Sequence, residues 1–128
     1  MTPLSEPLLV VDSDAPGRMA LDAGLRQAGF AVETAADVEE ALRKARQKIP
    51  ALVVSETALK TSDGFELCRR LKEDEQLSQI PFLFVTHNKS IEGKIQGLEV
   101  GSVGYVTKPV SLNQLLEHIR QVLSPQDA

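Results

Sequence analysis

Four polar residues of this chain stand at the ends of four short apolar segments: Asp12, Glu56, Thr86 and Lys108. Carboxylate oxygens are ligands that a hard cation such as Mg²⁺ prefers, and a lysine ammonium is a point charge for phosphate oxygens. A threonine hydroxyl can donate a hydrogen bond to the same oxygens. Brought together, these side chains would suit chemistry at a phosphoryl group.

The apolar segments that precede these residues are predicted to be buried strands of a parallel sheet. Each segment is short and bounded by turn residues, and helical patterns separate one segment from the next. In such a sheet the ligand-binding crevice lies beyond the carboxyl ends of the strands. We therefore expect the four polar side chains to converge on one site.

Start and stop signals place helices between the strands. Asp14 is expected to cap the first helix and Gly29 to end it, ahead of a strand over residues 30–34. Capping-box patterns begin two further helices: Asp37 with Glu40, and Ser111 with Gln114. The other two helices are marked by Asp63 and by an apolar series ahead of Gly101: Ile91, Ile95 and Leu98. The result is a single α/β domain with helices on both faces of a parallel sheet.

Composition limits the classes of protein to which the chain can belong. We expect one domain over residues 1–128, with its core at about 7–123 and a tail or linker start at 124–128. The net charge of -4, with no basic stripe, argues against a nucleic-acid surface. We see neither a membrane-span pattern nor a signal peptide, and the one cysteine fits a reducing compartment. We therefore expect a cytoplasmic location.

Four stretches of the chain together resemble a known family. Residues 8–12, 63–67, 85–86 and 104–109 have the order and spacing of the response-regulator receiver domain of bacterial two-component, or phosphorelay, signalling. The resemblance covers nearly the whole chain. It implies a flavodoxin-like sheet of five parallel strands in the order 2-1-3-4-5 and a signalling module that is not an enzyme.

The resemblance assigns roles to individual residues. Glu56 stands where the family has the aspartate that accepts a phosphoryl group from a histidine kinase. Asp12 and Ser13 stand at the two acidic positions that help to hold Mg²⁺. Thr86 and Lys108 match the residues that contact the phosphoryl group.

The resemblance also implies an output surface. Tyr105 matches the aromatic residue that, together with Thr86, couples the site to the face made by the fourth helix, fifth strand and fifth helix. That face usually binds a protein partner or effector domain, or forms a homodimer, so neither nucleic acid nor a membrane is expected as a partner. The peptide between Lys108 and Pro109 is expected to be cis, as in the family.

The acceptor position departs from the family pattern. Glu56 is one methylene longer than aspartate, so its carboxylate should reach about 1.5 Å further. In-line transfer requires closer placement of the acceptor, so phosphorylation should be poor or absent. Glu56 either imitates the phosphorylated state, with about half the charge of an aspartyl phosphate, or only pairs with Lys108 and closes the crevice.

The metal-binding positions and their surroundings also differ from the family pattern. Ser13 removes one negative charge, which leaves Asp12, Glu56 and the carbonyl of Ala58 as candidate ligands. We expect weak Mg²⁺ binding or none, and no other cofactor. His87 follows Thr86 where the family has a small side chain, and it is expected to be a surface histidine.

Three interpretations follow from these residues. The first is an atypical receiver that acts through protein contacts without a normal phosphorylation cycle. The second is a Mg²⁺-dependent phosphoacceptor that still responds to a phosphodonor. The third is a small α/β enzyme or nucleotide-binding domain, which the lack of a glycine-rich phosphate loop after the first strand disfavours. We favour the first.

Overall fold

Five parallel strands form one sheet in the order β2-β1-β3-β4-β5. The computed structural model describes residues 6–124, so residues 125–128 of the expected tail lie outside the described part. The strands are β1 (Leu8–Val11), β2 (Val32–Ala35), β3 (Leu52–Ser55), β4 (Phe82–Thr86) and β5 (Gly104–Thr107). The predicted flavodoxin-like topology is confirmed.

Helices alternate with the strands along the chain. They are α1 (Ala15–Gln27), α2 (Val38–Gln47), α3 (Gly64–Glu73), α4 (Ile91–Glu99) and α5 (Leu112–Leu123). The core on one face of the sheet includes residues of α2 and α3, and that on the other face includes residues of α1 and α5. No helix within residues 6–124 is long and apolar enough to cross a membrane.

Burial on both faces explains why the three central strands, β1, β3 and β4, are apolar up to their ends. In β1, Leu9 and Val11 join the core that contains α2 and α3, whereas Leu8 and Val10 join the core that contains α1 and α5. Successive side chains of a strand point to opposite faces, so a strand covered on both sides has no position for a polar residue until it ends. The first polar side chain therefore stands directly at the edge of the sheet.

The predicted helix starts are present, with one difference at α2. The side chain of Asp14 caps α1 by accepting from the Gly17 N–H, and Ser111 with Gln114 forms both halves of a capping box at α5. At α2, Asp37 accepts from the Glu40 N–H, but the Glu40 carboxylate accepts from the N–H of Ala36 instead of Asp37. The bond to the Glu40 carboxylate thus comes from the residue before the N-cap and not from the N-cap itself.

The second strand begins later than the sequence pattern predicts. Gly29 has φ of 104° and ends α1, and the N–H of Phe30 donates back to the carbonyl of Leu25. Phe30 packs against the adjacent core. This residue therefore belongs to the helix termination and not to β2, which begins at Val32.

The apolar series of α4 is on the solvent side of that helix. Ile91, Ile95 and Leu98 are 71%, 49% and 74% exposed. The buried residues of α4 are Gly93 and Gly97, and a Cβ atom at position 93 would lie 2.6 Å from the hydroxyl oxygen of Tyr105. The glycines are needed because Tyr105 approaches the helix backbone this closely.

Candidate functional site

The polar residues at the strand ends line one crevice of about 750 Å³ at the carboxyl edge of the sheet. The crevice contains Asp12 from the end of β1, Glu56 from the end of β3, Thr86 from β4 and Lys108 from the end of β5. Neighbouring parallel strands end side by side, which is why residues up to 96 apart in sequence meet here.

Both oxygens of the Glu56 carboxylate have partners in the protein, one through a hydrogen bond and one through an ion pair. Oε1 accepts from the backbone N–H of Thr57 at 2.8 Å, and Oε2 lies 3.4 Å from Nζ of Lys108. The backbone N–H of His87 points to the same Oε2, with an N···O distance of 3.4 Å. Two backbone N–H groups and one ammonium thus surround the end of this side chain, which is 12% exposed.

Lys108 lies between two carboxylates. Its Nζ is 3.5 Å from Oδ2 of Asp12 as well as 3.4 Å from Glu56, and its side chain is 17% exposed. Oδ1 of Asp12 accepts from the backbone N–H of Asp14 at 2.9 Å. The peptide bond that joins Lys108 to Pro109 is cis. One positive charge is therefore shared by two largely buried negative charges.

The Ser13 hydroxyl connects three loops through two hydrogen bonds. Its Oγ donates to the carbonyl of Ala36 at 2.5 Å and accepts from the backbone N–H of Lys60 at 2.8 Å. These bonds connect the loop after β1 to the loops after β2 and β3. Both partners are distant in sequence, so no local pattern could have predicted this role.

The residues present offer Mg²⁺ only a weak set of ligands as they are arranged. Mg²⁺ needs oxygen ligands in a near-octahedral set. The carboxylates of Asp12 and Glu56 both face Lys108, and the Ser13 hydroxyl is committed to other partners. Ala58 lines the crevice beside them. Between residues 6 and 124, no group of three or more acidic, histidine or cysteine side chains could hold a metal ion.

Thr86 is buried, and its hydroxyl contacts residues other than Glu56. Its Oγ1 lies 3.0 Å from Oγ1 of Thr57 and accepts from the backbone N–H of Asn88 at 3.0 Å. The hydroxyl is thus held beside the crevice by Thr57. Thr57 is a site residue that sequence reasoning missed, since nothing marks its contact with a residue 29 positions away.

Tyr105 is half-buried against α4 and the loop that follows β4. Its hydroxyl donates to the carbonyl of Asn88 at 2.7 Å, and its ring centroid is 5.8 Å from that of Phe84. Burial raises the pKa of the phenol above its usual value, and the negative charge of Glu56 raises it further. Tyr105 thus contacts the loop between β4 and α4 and lies within the electrostatic influence of Glu56.

Cys68 and Ser55, the nucleophilic side chains weighed from the sequence, bond to backbone carbonyls and not to a histidine within residues 6–124. Cys68 is buried, and desolvation raises the pKa of its thiol to about 11, so it stays protonated. The Ser55 hydroxyl donates to the carbonyl of Glu56 at 2.8 Å. His87 is exposed, as expected, and His118 is exposed as well.

Comparison with known proteins gives a consistent result. The model for the response regulator receiver domain matches residues 8–120. The phosphate regulon transcriptional regulatory protein PhoB of Pseudomonas aeruginosa is 36% identical over 116 residues, which are 91% of this chain and 51% of that protein. The DNA-binding dual master transcriptional regulator RpaA of Synechocystis is 33% identical over 120 residues, 94% of this chain and 50% of that protein. The chain thus spans about half the length of these curated relatives.

Solved structures extend the similarity to three dimensions. A putative response regulator from Chloroflexus aurantiacus has a TM-score of 0.88 and 32% identity, with 93% of this chain and 98% of that chain covered. The Vibrio cholerae chemotaxis protein CheY4 has a TM-score of 0.87 and 33% identity, with 92% and 98% covered.

Proposed function

Because this chain belongs to the response regulator receiver domain family of two-component signalling, we propose that it is an atypical receiver that acts through protein contacts without a normal phosphorylation cycle. The observation that carries the proposal is the engagement of Glu56 at the acceptor position. Its carboxylate already holds Lys108 and the N–H groups of Thr57 and His87. The groups available to stabilise a phosphoryl group are thus occupied by a side chain of the protein itself.

Transfer to Glu56 is disfavoured by placement and by charge. Phosphoryl transfer depends on in-line positioning of the acceptor and on neutralisation of the charge on the transferred group. Oε2 of Glu56 faces Lys108, the ammonium that would neutralise this charge. Asp12 also shares that ammonium. An incoming phosphoryl group would have to displace these contacts.

Weak Mg²⁺ binding is part of the same proposal. Receiver domains typically bind Mg²⁺ at the phosphorylation site. In this chain the candidate ligands are Asp12, Glu56 and the carbonyl of Ala58, and the hydroxyl of Ser13 adds no charge. A cation at this place would compete with Lys108 for both carboxylates.

Retention of Thr86, Tyr105 and Lys108 supports a module that still presents an output surface. We place that surface on α4, β5 and α5, where Ile91, Ile95 and Leu98 of α4 are exposed. Exposed apolar side chains that are contiguous along a helix are typical of a contact surface. The occupant that we propose is a protein partner or effector domain; a second copy of the chain is the alternative.

Incubation with acetyl phosphate and Mg²⁺ tests the proposal, with intact mass as the readout. The unmodified chain should show no gain of a phosphoryl mass. The matched control is Glu56→Asp, which restores the acceptor type of the family and should gain that mass at least in part. A gain by the unmodified chain that disappears in Glu56→Gln would overturn the proposal and support a Mg²⁺-dependent phosphoacceptor.

A further inference from the structure

Thr57 is a buried residue whose main chain is fixed on both sides. It is 4% exposed, its N–H donates to Oε1 of Glu56, and its carbonyl accepts from the N–H of Gly64 at 2.7 Å. Its side chain is therefore presented in one direction, toward β4. The hydroxyl meets Oγ1 of Thr86 at 3.0 Å and lies 3.5 Å from Oε1 of Glu56.

The direction of the hydroxyl bonds follows from their partners. Oγ1 of Thr86 accepts from the Asn88 N–H, so its own proton needs an acceptor, and Oγ1 of Thr57 supplies it. Thr57 can then direct its proton to the Glu56 carboxylate, which only accepts. If Thr57 donated to Thr86 instead, the Thr86 proton would have no acceptor among its contacts in residues 6–124.

The chain of bonds continues to the protein surface. The N–H of Asn88 donates to Thr86, and the carbonyl of the same residue accepts from the Tyr105 hydroxyl at 2.7 Å. Asn88 is thus held from both sides of its backbone. Tyr105 in turn lies against Gly93 and Gly97 of α4, the helix that carries the exposed apolar side chains.

We propose that Thr57 is a positioning residue that couples the Glu56 carboxylate to Asn88 and Tyr105 by holding the hydroxyl of Thr86. The coupling is a path of polarised hydrogen bonds from the Asn88 N–H through Thr86 and Thr57 to Glu56, in which loss of charge at Glu56 weakens the bonds that follow. Tyr105 joins this path at the carbonyl of Asn88, which belongs to the next peptide group. The inference does not depend on whether Glu56 can be phosphorylated. It requires only that the Thr57 hydroxyl is the link between the two strands.

A second path must be separated from this one. The backbone N–H of His87, the residue before Asn88, points to Oε2 of Glu56 at 3.4 Å. A change at Glu56 could therefore reach Asn88 through the main chain. The two paths differ in one respect, because only the first needs a hydroxyl at position 57.

The experiment measures how Glu56→Gln moves the amide resonance of Asn88 and the ring resonances of Tyr105 by NMR. The substitution is made in the unmodified chain and in Thr57→Ser and Thr57→Val backgrounds. Serine keeps the hydroxyl, whereas valine keeps the shape and removes it. Ser55→Ala is the matched control, because it removes a buried hydroxyl that bonds to the Glu56 carbonyl outside the path.

We expect Glu56→Gln to shift the Asn88 amide proton upfield, and to move the Tyr105 ring signals, in the unmodified, Thr57→Ser and Ser55→Ala backgrounds. The Asn88 movement should be lost in Thr57→Val, whereas a Tyr105 movement that persists there reports the charge of Glu56 acting through space. Equal Asn88 movements in the serine and valine backgrounds would overturn the proposal and assign the coupling to His87. Should Thr57→Val not fold, Thr57→Ala takes its place, with the same two outcomes.

Discussion

Nζ of Lys108 lies 3.4 Å from Oε2 of Glu56, at a point where the two side chains are only 17% and 12% exposed. The same ammonium is 3.5 Å from Asp12, whose side chain is 5% exposed. The cation is therefore required mainly because two desolvated carboxylates would otherwise repel each other.

Removal of this ammonium should destabilise the fold. Lys108→Met leaves Asp12 and Glu56 facing each other, and we expect the free energy of unfolding to fall by about 2 kcal/mol, less than for a fully enclosed pair because the crevice is open to water. Urea unfolding measures the loss. Glu56→Gln in the Lys108→Met background should recover part of it.

The control is Lys60→Met. Lys60 also lines the crevice, but it bonds to Ser13 through its backbone N–H, which the substitution keeps. Equal unfolding midpoints for the two methionine variants would contradict the prediction.

The phenol of Tyr105 offers a direct measure of the charge on Glu56. Burial is the larger cause of its raised pKa and Glu56 the second, so Glu56→Gln should lower that pKa without returning it to the usual value. Tyr105 is the only tyrosine and there is no tryptophan, so ultraviolet absorbance during an alkaline titration reports this residue alone. Glu99→Gln serves as a control on α4. An unchanged titration in Glu56→Gln would mean that the crevice charge does not reach the ring.

The same shift determines how Tyr105 contributes to stability at high pH. Because its pKa is higher in the folded chain than in the unfolded one, the folded state holds the proton longer. The contribution is complete below about pH 10, the value for an unperturbed phenol, and is lost as the pH rises through the folded pKa. Tyr105→Phe should therefore reduce the alkaline loss of stability.

The Ser13 hydroxyl should contribute to stability although it stands at a metal-ligand position. Ser13→Ala leaves the carbonyl of Ala36 and the N–H of Lys60 without this partner, and we expect a loss of about 1 kcal/mol in urea unfolding. Ser62→Ala, an exposed serine of the same loop region, is the control and should have little effect. A loss no larger than that of the control would mean that the loops hold their places without Ser13.

Restoring both acidic positions should restore Mg²⁺ binding. Glu56→Asp shortens the carboxylate that now reaches Lys108, and Ser13→Asp adds the missing charge. Calorimetric titration should detect Mg²⁺ in the double variant and weak binding or none in the unmodified chain. The aspartate cannot donate to the Ala36 carbonyl, so the metal-free double variant should also be less stable. Failure of the double variant to bind would show that the crevice differs from a metal-binding receiver by more than these two residues.

The alternative occupant, a second copy of the chain on the exposed series of α4, is tested by a single charge in that series. Leu98→Asp places a charge at a residue that is 74% exposed, so thermal stability should change little while association of the chain in sedimentation experiments is lost. Met19→Asp is the control, since Met19 is 65% exposed on α1 and should leave association intact. A chain that is monomeric at all concentrations before substitution would rule out the second copy as the occupant.

The convergence of the site could be predicted, because strand ends in a parallel sheet meet at one edge. Strand ends alone predict that Asp12, Glu56, Thr86 and Lys108 meet, and each of the four lines the crevice. Sequence spacing carries this information since an apolar run shows where a buried strand stops.

Contacts between distant loops could not be predicted in this way. The bond from Ser13 to Ala36 spans 23 residues and that between Thr57 and Thr86 spans 29. Helical spacing located α4 but not its buried face, because Gly93 and Gly97 carry no apolar side chain by which burial could be recognised. The glycine side of α4 is the buried one because Tyr105 packs closely against the helix backbone there.

The two glycines, Gly93 and Gly97, also lower the intrinsic helical stability of α4. Each glycine in a helix interior costs about 1 kcal/mol relative to alanine, and a helix of nine residues has little stability of its own. Its largest apolar side chains are exposed and add little core burial to offset this cost. We therefore expect α4 to unfold locally more readily than its neighbours, with fast amide hydrogen exchange. A protein that covers Ile91, Ile95 and Leu98 would then stabilise the helix itself, so that binding would appear as slowed exchange throughout α4.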